Sequence, residues 1–316
     1  MLFDFDVEPS FDRDGLRARL SGLAARGVYI GGSSWKYEGW LDSIYSRSRY
    51  QTRGKFSKKL FEDTCLSEYA TVFPAVCGDF AFYQFPSVEL WAKLFRQVPT
   101  GFRFGFKVPE QITVEAWPVH ARYGALAGLP NPTFLDAALF EQGFLRVLEP
   151  WREKVGVLIF EFGTFRQRSF AGPAEFAKAL GPFLARLPAG WRFAVEVRNA
   201  EFLTPAYFDC LRAHNVAHVF NAWTRMPEIA EQLAMPAART SDLIVARALL
   251  KRGRPYEEAV RKFSPYDRLQ EVNEPVRRAL RELIDIAIVD GRPAFIFVNN
   301  RLEGNSPGTI VAITED

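Results

Sequence analysis

Gly190-Trp191-Arg192-Phe193-Ala194-Val195-Glu196-Val197-Arg198-Asn199 decides the fold. Side chains alternate along an extended chain. Phe193, Val195 and Val197 therefore point one way, and Ala194, Glu196 and Arg198 the other. Burying Glu196 and Arg198 on the face of a core strand costs several kcal/mol per ion unless they are paired and hydrogen-bonded. A buried strand with ions at its C-terminal end is the pattern of a parallel α/β enzyme beside its active site.

Similar stretches lie on both sides. Val155–Phe162 is an apolar run broken only by Glu161, as expected for a strand covered on both faces. Val28–Gly32, Ala75–Asp79, Phe102–Val108, Val216–Asn221, Leu243–Leu249 and Ala294–Asn299 complete a set of eight strands. Helical spacing separates them over 56–71, 88–97, 134–151, 174–187, 205–214, 227–233 and 274–289. Ser87 and Thr204-Pro205 read as helix starts. The stretches 35–54, 118–132 and 251–261 read as loops.

This alternation predicts an α/β fold, a TIM-barrel-like (β/α)8 barrel. A single domain is expected over 28–316. A lead-in and a helix over 11–26, which could cover the bottom of the barrel as a plug, would precede it. The tail after the eighth strand leaves room for a last helix of about two turns or none.

The chain has 316 residues, 48% apolar and 24% charged, the balance of a soluble globular protein. Its net charge of +3 is small and spread out, which gives nucleic acid little support as a partner. Cys65, Cys77 and Cys210 are odd in number with no C-x-x-C, which points to a reducing compartment. The N-terminus lacks the basic and apolar regions of a signal peptide, and no run approaches a membrane span. The expectation is a cytoplasmic protein with no membrane partner. No P-loop or G-x-G-x-x-G is present, so motifs predict no nucleotide cofactor. His120, His214 and His218 show no ligand spacing. A carboxylate-held Mg²⁺ is left open.

In such a barrel, residues at the C-terminal strand ends converge on one pocket. The candidates are Ser33, Ser34, Trp35, Asp79, Tyr83, Lys107, Glu161, Glu196, Arg198, Asn221, Arg247, Asn299 and Asn300. Three cations and three carboxylates would face one another, an arrangement suited to a small anionic or polyhydroxylated ligand. Gly31-Gly32 allows close backbone approach to a ligand, or serves a tight turn. Cys77 reads as a small buried hydrophobe before it reads as a nucleophile.

The order of Ile30-Gly31-Gly32-Ser33-Ser34-Trp35, Phe82-Tyr83-Gln84-Phe85-Pro86-Ser87, Phe104-Gly105-Phe106-Lys107-Val108-Pro109, Ala194-Val195-Glu196-Val197-Arg198 and Phe297-Val298-Asn299-Asn300 resembles the YecE-like family (domain of unknown function 72). The resemblance spans about Val28 to Gly308 and implies a TIM-barrel-like fold. It brings no established activity, substrate or cofactor. The chain departs from the family pattern at Cys77, Asp79, Glu161 and Leu249-Leu250.

Two functions are compatible with these residues. One is an enzyme using Lys107, Glu161 and Glu196 for acid/base chemistry. The carboxylates could serve as in glycoside hydrolysis, or Lys107 as base or Schiff-base nucleophile. Ser33, Ser34, Trp35, Asp79, Tyr83, Arg198, Asn221, Arg247, Asn299 and Asn300 would bind substrate. The other is a non-catalytic binder of nucleic acid or a phosphorylated ligand, using Trp35, Trp40 and the arginines of 47–53 and 251–261.

Overall fold

The computed structural model describes residues 11–165, 169–170 and 172–315. The lead-in expected over 1–10 lies outside them. Eight parallel strands close into a barrel: β1 Val28–Gly32, β2 Ala75–Gly78, β3 Arg103–Lys107, β4 Val155–Phe162, β5 Phe193–Val197, β6 Ala217–Ala222, β7 Ile244–Ala248 and β8 Ala294–Val298. Each pairs with the next in chain order, and β8 returns to β1. Helices between the strands cover the outside. The expected (β/α)8 barrel is therefore the fold.

Strand alternation divides the core into two layers. Ala75, Cys77, Val157, Ile159, Ala194, Ala217, Val219, Val245, Phe295 and Phe297 pack inside the barrel. Their neighbours, including Phe104, Phe106, Phe160, Phe193, Val195 and Val197, pack outward under the helices. The inner layer is small except on β8, whose two phenyl rings fill the space. A Cβ on Gly156 would lie 2.3 Å from the Phe295 ring, and one on Gly105 would lie 2.6 Å from the Phe297 ring. Glycines and phenylalanines thus interlock to form a dry floor beneath the C-terminal strand ends.

Two seams of the barrel have only two registered pairs each: Gly31↔Ala75 and Gly32↔Val76 between β1 and β2, and Ala194↔Ala217 and Val195↔His218 between β5 and β6. A side chain bridges each seam. The Tyr69 hydroxyl accepts from the Gly32 N–H at 2.7 Å and donates to the Ala75 carbonyl at 2.9 Å. At the other seam, Asn221 Nδ2 donates to the Val197 carbonyl at 3.1 Å. A Cβ on Gly31 would lie 1.7 Å from the Ala75 oxygen. Close backbone packing at this seam, rather than approach of a ligand, is what Gly31 serves.

Several local expectations change. The N-terminal helix, Arg13–Ala25, buries Leu16 and Leu20 in the outer layer and packs beside the last helix, Ser306–Thr314. It is not a plug: the N-terminal opening of the barrel is an open cavity bordered by Tyr29, Arg103 and Phe295. The last helix is present as the first of the two expected alternatives, with nine residues or about two and a half turns. The stretch read as one helix over 134–151 is split into Ala137–Phe140, a π turn at Glu141–Leu145, Arg146–Leu148 and a 3-10 segment, Glu149–Lys154, whose Pro150 cannot continue an α-helix. The loop read over 251–261 contains a helix, Tyr256–Phe263, because Ala259 and Phe263 pack against Leu249 and Leu250. The loop over 35–54 carries two 3-10 turns and the first strand of a small hairpin, Gln51–Thr52 with Lys55–Phe56.

Tyr69→Phe would leave the buried Gly32 N–H and Ala75 carbonyl without their bridge. Urea unfolding should show a loss of about 1–3 kcal/mol. Gly105→Ala forces the Phe297 ring aside and should also destabilise the fold. Gly22→Ala is the control, since a Cβ there meets nothing within 4 Å and a helix gains from the exchange. Equal effects at 105 and 22 would refute the interlocked floor.

Candidate functional site

The inward positions at the C-terminal strand ends carry charge instead of methyl groups. β4 supplies Glu161 and β5 supplies Glu196, and the two are register partners. β7 supplies Arg247, paired in register with Asn221 of β6. Arg247 Nη1 donates to Glu161 Oε2 at 2.6 Å and makes a short hydrogen bond to Glu196 Oε2. Arg198 places Nη2 at 2.8 Å from Glu161 Oε2 and donates from Nε to Glu196 Oε1 at 3.2 Å. Lys107, at the end of β3, lies 3.1 Å from Glu161 Oε2. One carboxylate oxygen thus meets three cations. Asp79, just past β2, lies 3.6 Å from Arg247 and 4.0 Å from Lys107. The three expected cations and three expected carboxylates form one contiguous network.

Burial orders these groups. The Glu196 and Arg247 side chains are 0% and 2% exposed, whereas that of Asp79 is 43% exposed. Burial alone would raise the Glu161 carboxyl, but Arg198, Lys107 and Arg247 outweigh it and hold the group well below the usual carboxylate range. Burial opposes the charge of Arg247, yet Glu196 and the other nearby acidic groups push its pKa well above the usual value. Burial pushes the Cys77 thiol up to about 12, as for an unreactive core thiol. Glu110, three residues beyond Lys107, is shifted the other way. Burial raises its carboxyl, while a hydrogen bond from Tyr123 at 2.8 Å and the charges of Arg122 and Lys107 partly offset that.

Aromatic rings cover two of the cations. Lys107 Nζ lies 3.8 Å from the centre of the Phe82 ring, and the Arg198 guanidinium 3.8 Å from that of Trp223. Neither ring was among the residues singled out from sequence. Their signal is an aromatic residue shortly after a strand end. Gln232 was missed too. Its Oε1 accepts from the Asn221 N–H at 3.2 Å and its Nε2 donates to the Asn221 carbonyl at 2.7 Å, fixing the end of β6.

The remaining candidates divide. Ser33 is buried, and among the described residues its Oγ has no hydrogen-bond partner; Asn221 Oδ1, Asp79 Oδ1 and Arg247 Nε likewise have none there. Asn299 and Asn300 are engaged in the turn after β8: Asn299 Oδ1 accepts from the Arg301 N–H and Asn300 Oδ1 from the Ser306 N–H. Ser34 and Trp35 line a separate groove of about 270 Å³ that reaches Asp79. Tyr83 is 49% exposed and lies under Arg122 at 4.2 Å. Among the described residues, no three His, Cys, Asp or Glu side chains are grouped to hold a metal ion.

The surfaces named for nucleic acid are largely committed to the protein itself. Trp35 and Trp40 are buried. Arg47 pairs with Asp42 and Arg49 with Glu68. In the second stretch, Lys251 and Arg254 converge with Lys262 on Glu271, whose pKa those contacts lower to about 2, and Arg252 pairs with Glu231.

Arg247→Met removes the nitrogen shared by Glu161 and Glu196 and leaves two buried carboxylates short of a partner. Unfolding should show a loss of about 3–5 kcal/mol. Arg198→Met, nearer solvent, should cost clearly less. Equal costs would mean that Arg247 is not the centre of the network.

Among solved structures, a DUF72 family protein from Thermotoga maritima aligns at 19% identity and a TM-score of 0.60, over 90% of this chain and 97% of its own. A DUF72 family protein from Enterococcus faecalis aligns at 15% identity and a TM-score of 0.58, over 90% and 94%. At such identities the likeness is one of fold. No curated protein matches, and no helix among the described residues is long and apolar enough to cross a membrane. The family model described as "Protein of unknown function DUF72" matches residues 29–316, and with it the expected YecE-like resemblance becomes an assignment: the chain belongs to the DUF72 family.

Proposed function

We propose that the protein is an enzyme acting by proton transfer on a small polyhydroxylated or anionic substrate at the C-terminal end of the barrel. The observation that carries this reading is the set of buried polar atoms at the C-terminal strand ends that make no hydrogen bond among the described residues: Ser33 Oγ, Asn221 Oδ1, Asp79 Oδ1 and Arg247 Nε. Each such atom costs about 1–3 kcal/mol if left unmade. Together they offer donors and acceptors at one end of the barrel, which is what sugar-like hydroxyl groups require.

Lys107 is the proposed proton-transferring group, because Asp79 and Phe82 open toward solvent beside it. Glu161 and Glu196 are proposed to act with it by setting the charge of the site. Both hold arginines, and Glu161 also lies 3.1 Å from Lys107 Nζ. Arg198 is the proposed anion-binding cation, since Trp223 holds it at the rim. Ser33, Asp79 and Asn221 would orient the substrate.

The test begins with a thermal-shift screen of sugars, sugar phosphates, metals and oligonucleotides, repeated on Arg198→Ala. A small-molecule hit lost in that variant identifies the assay. Lys107→Met should then lower turnover by about 10²–10⁴-fold with little change in binding. Normal turnover by Lys107→Met, or stabilisation by oligonucleotides alone and unchanged in Arg198→Ala, would overturn the proposal.

A further inference from the structure

The opposite end of the barrel carries a second concentration of charge. A cavity of about 430 Å³ opens among the N-terminal ends of β1, β3, β4, β5 and β8. Arg103, Arg152 and Arg192 line it, with Glu153 as the one acidic residue on its wall. The imbalance contrasts with the neutral network at the other mouth.

Two of these arginines have partners within the protein. Arg103 donates to the Thr100 and Phe102 carbonyls at 2.8 and 3.1 Å and lies 5.6 Å from the Tyr29 ring centre. Arg152 is held by Glu149 at 3.3 Å and lies 5.9 Å from the Trp191 ring centre. Its guanidinium sits so close to Gly190 that a Cβ there would be 2.5 Å from Nη2. The Arg192 side chain is exposed and makes no hydrogen bond or ion pair among the described residues. Among the described residues, neither Arg103 nor Arg192 has a carboxylate partner. Like charges held around one concavity repel, and the repulsion is relieved by an anion that accepts from several guanidinium groups together.

We propose that this N-terminal cavity is a binding site for a small polyanion, a metabolite bearing two or more phosphate or carboxylate groups. Arg103 and Arg152 form its walls, and Arg192 closes on the bound anion. The site stands apart from the proposed catalytic mouth, with the Phe295 and Phe297 floor between them.

Inorganic pyrophosphate is the probe, titrated calorimetrically at constant ionic strength. Saturable binding at one site is expected. Arg192→Ala should weaken it at least about tenfold without lowering the melting temperature, since that side chain has no partner to lose. Arg152→Ala should weaken it as well, and Arg198→Ala should leave it unchanged. Absence of saturable binding, undiminished affinity in the Arg192 and Arg152 variants, or loss only in Arg198→Ala would overturn the proposal. The last result would move the anion to the C-terminal mouth.

Discussion

Arg247 is a guanidinium almost wholly removed from water, and the C-terminal half of the barrel is arranged around that fact. An isolated buried cation is prohibitively costly, and a single carboxylate partner seldom restores the balance. Here Glu161 and Glu196 flank one of its nitrogens, Arg198 completes both carboxylates, and Lys107 and Asp79 bring the count to three charges of each sign. The arrangement depends on register. Glu161 stands beside Glu196 only because β4 and β5 pair as they do, and a slip of one residue would turn a carboxylate into the aromatic layer outside. The network therefore constrains strand pairing as well as chemistry.

Electrical neutrality shapes what such a site can recognise. A balanced set of ions projects little field into solvent, so a ligand gains most from exchanging short-range hydrogen bonds. The phenyl floor below and the rings of Phe82 and Trp223 above lower the local dielectric, which strengthens each of those exchanges. The N-terminal cavity works oppositely. Its unbalanced arginines attract anions before any fine complementarity applies. One barrel thus presents two ends with different physical logic.

Strand content and inward-facing charges were legible because both follow from alternation along single stretches. Glu196 and Arg198 face inward for the same covalent reason that Val195 and Val197 face outward. What could not be read depends on partners distant in sequence. Helix Tyr256–Phe263 sits in a stretch opened by Gly253 and Pro255, and it forms because Leu249 and Leu250 offer it a surface. The roof over Lys107 and Arg198 comes from rings on two different loops. Asn221 was read as a ligand for substrate, yet its amide nitrogen is spent on the Val197 carbonyl and only its oxygen remains available.

The two short seams carry this reasoning further. At β5–β6 the bridging group is Asn221, so barrel closure and the proposed site share a residue, and a change there disturbs both. At β1–β2 the bridge is Tyr69, whose hydroxyl lies under the strand ends and leaves the space above them to loops. That space is the groove bordered by Ser34, Trp35 and Phe80, and Asp79 is common to the groove and the ion network. Asp79 is also the most exposed of the six charged groups. Weak strand pairing on this side therefore coincides with access: beside one of the two shortest ladders, the one loosely held carboxylate of the network meets solvent.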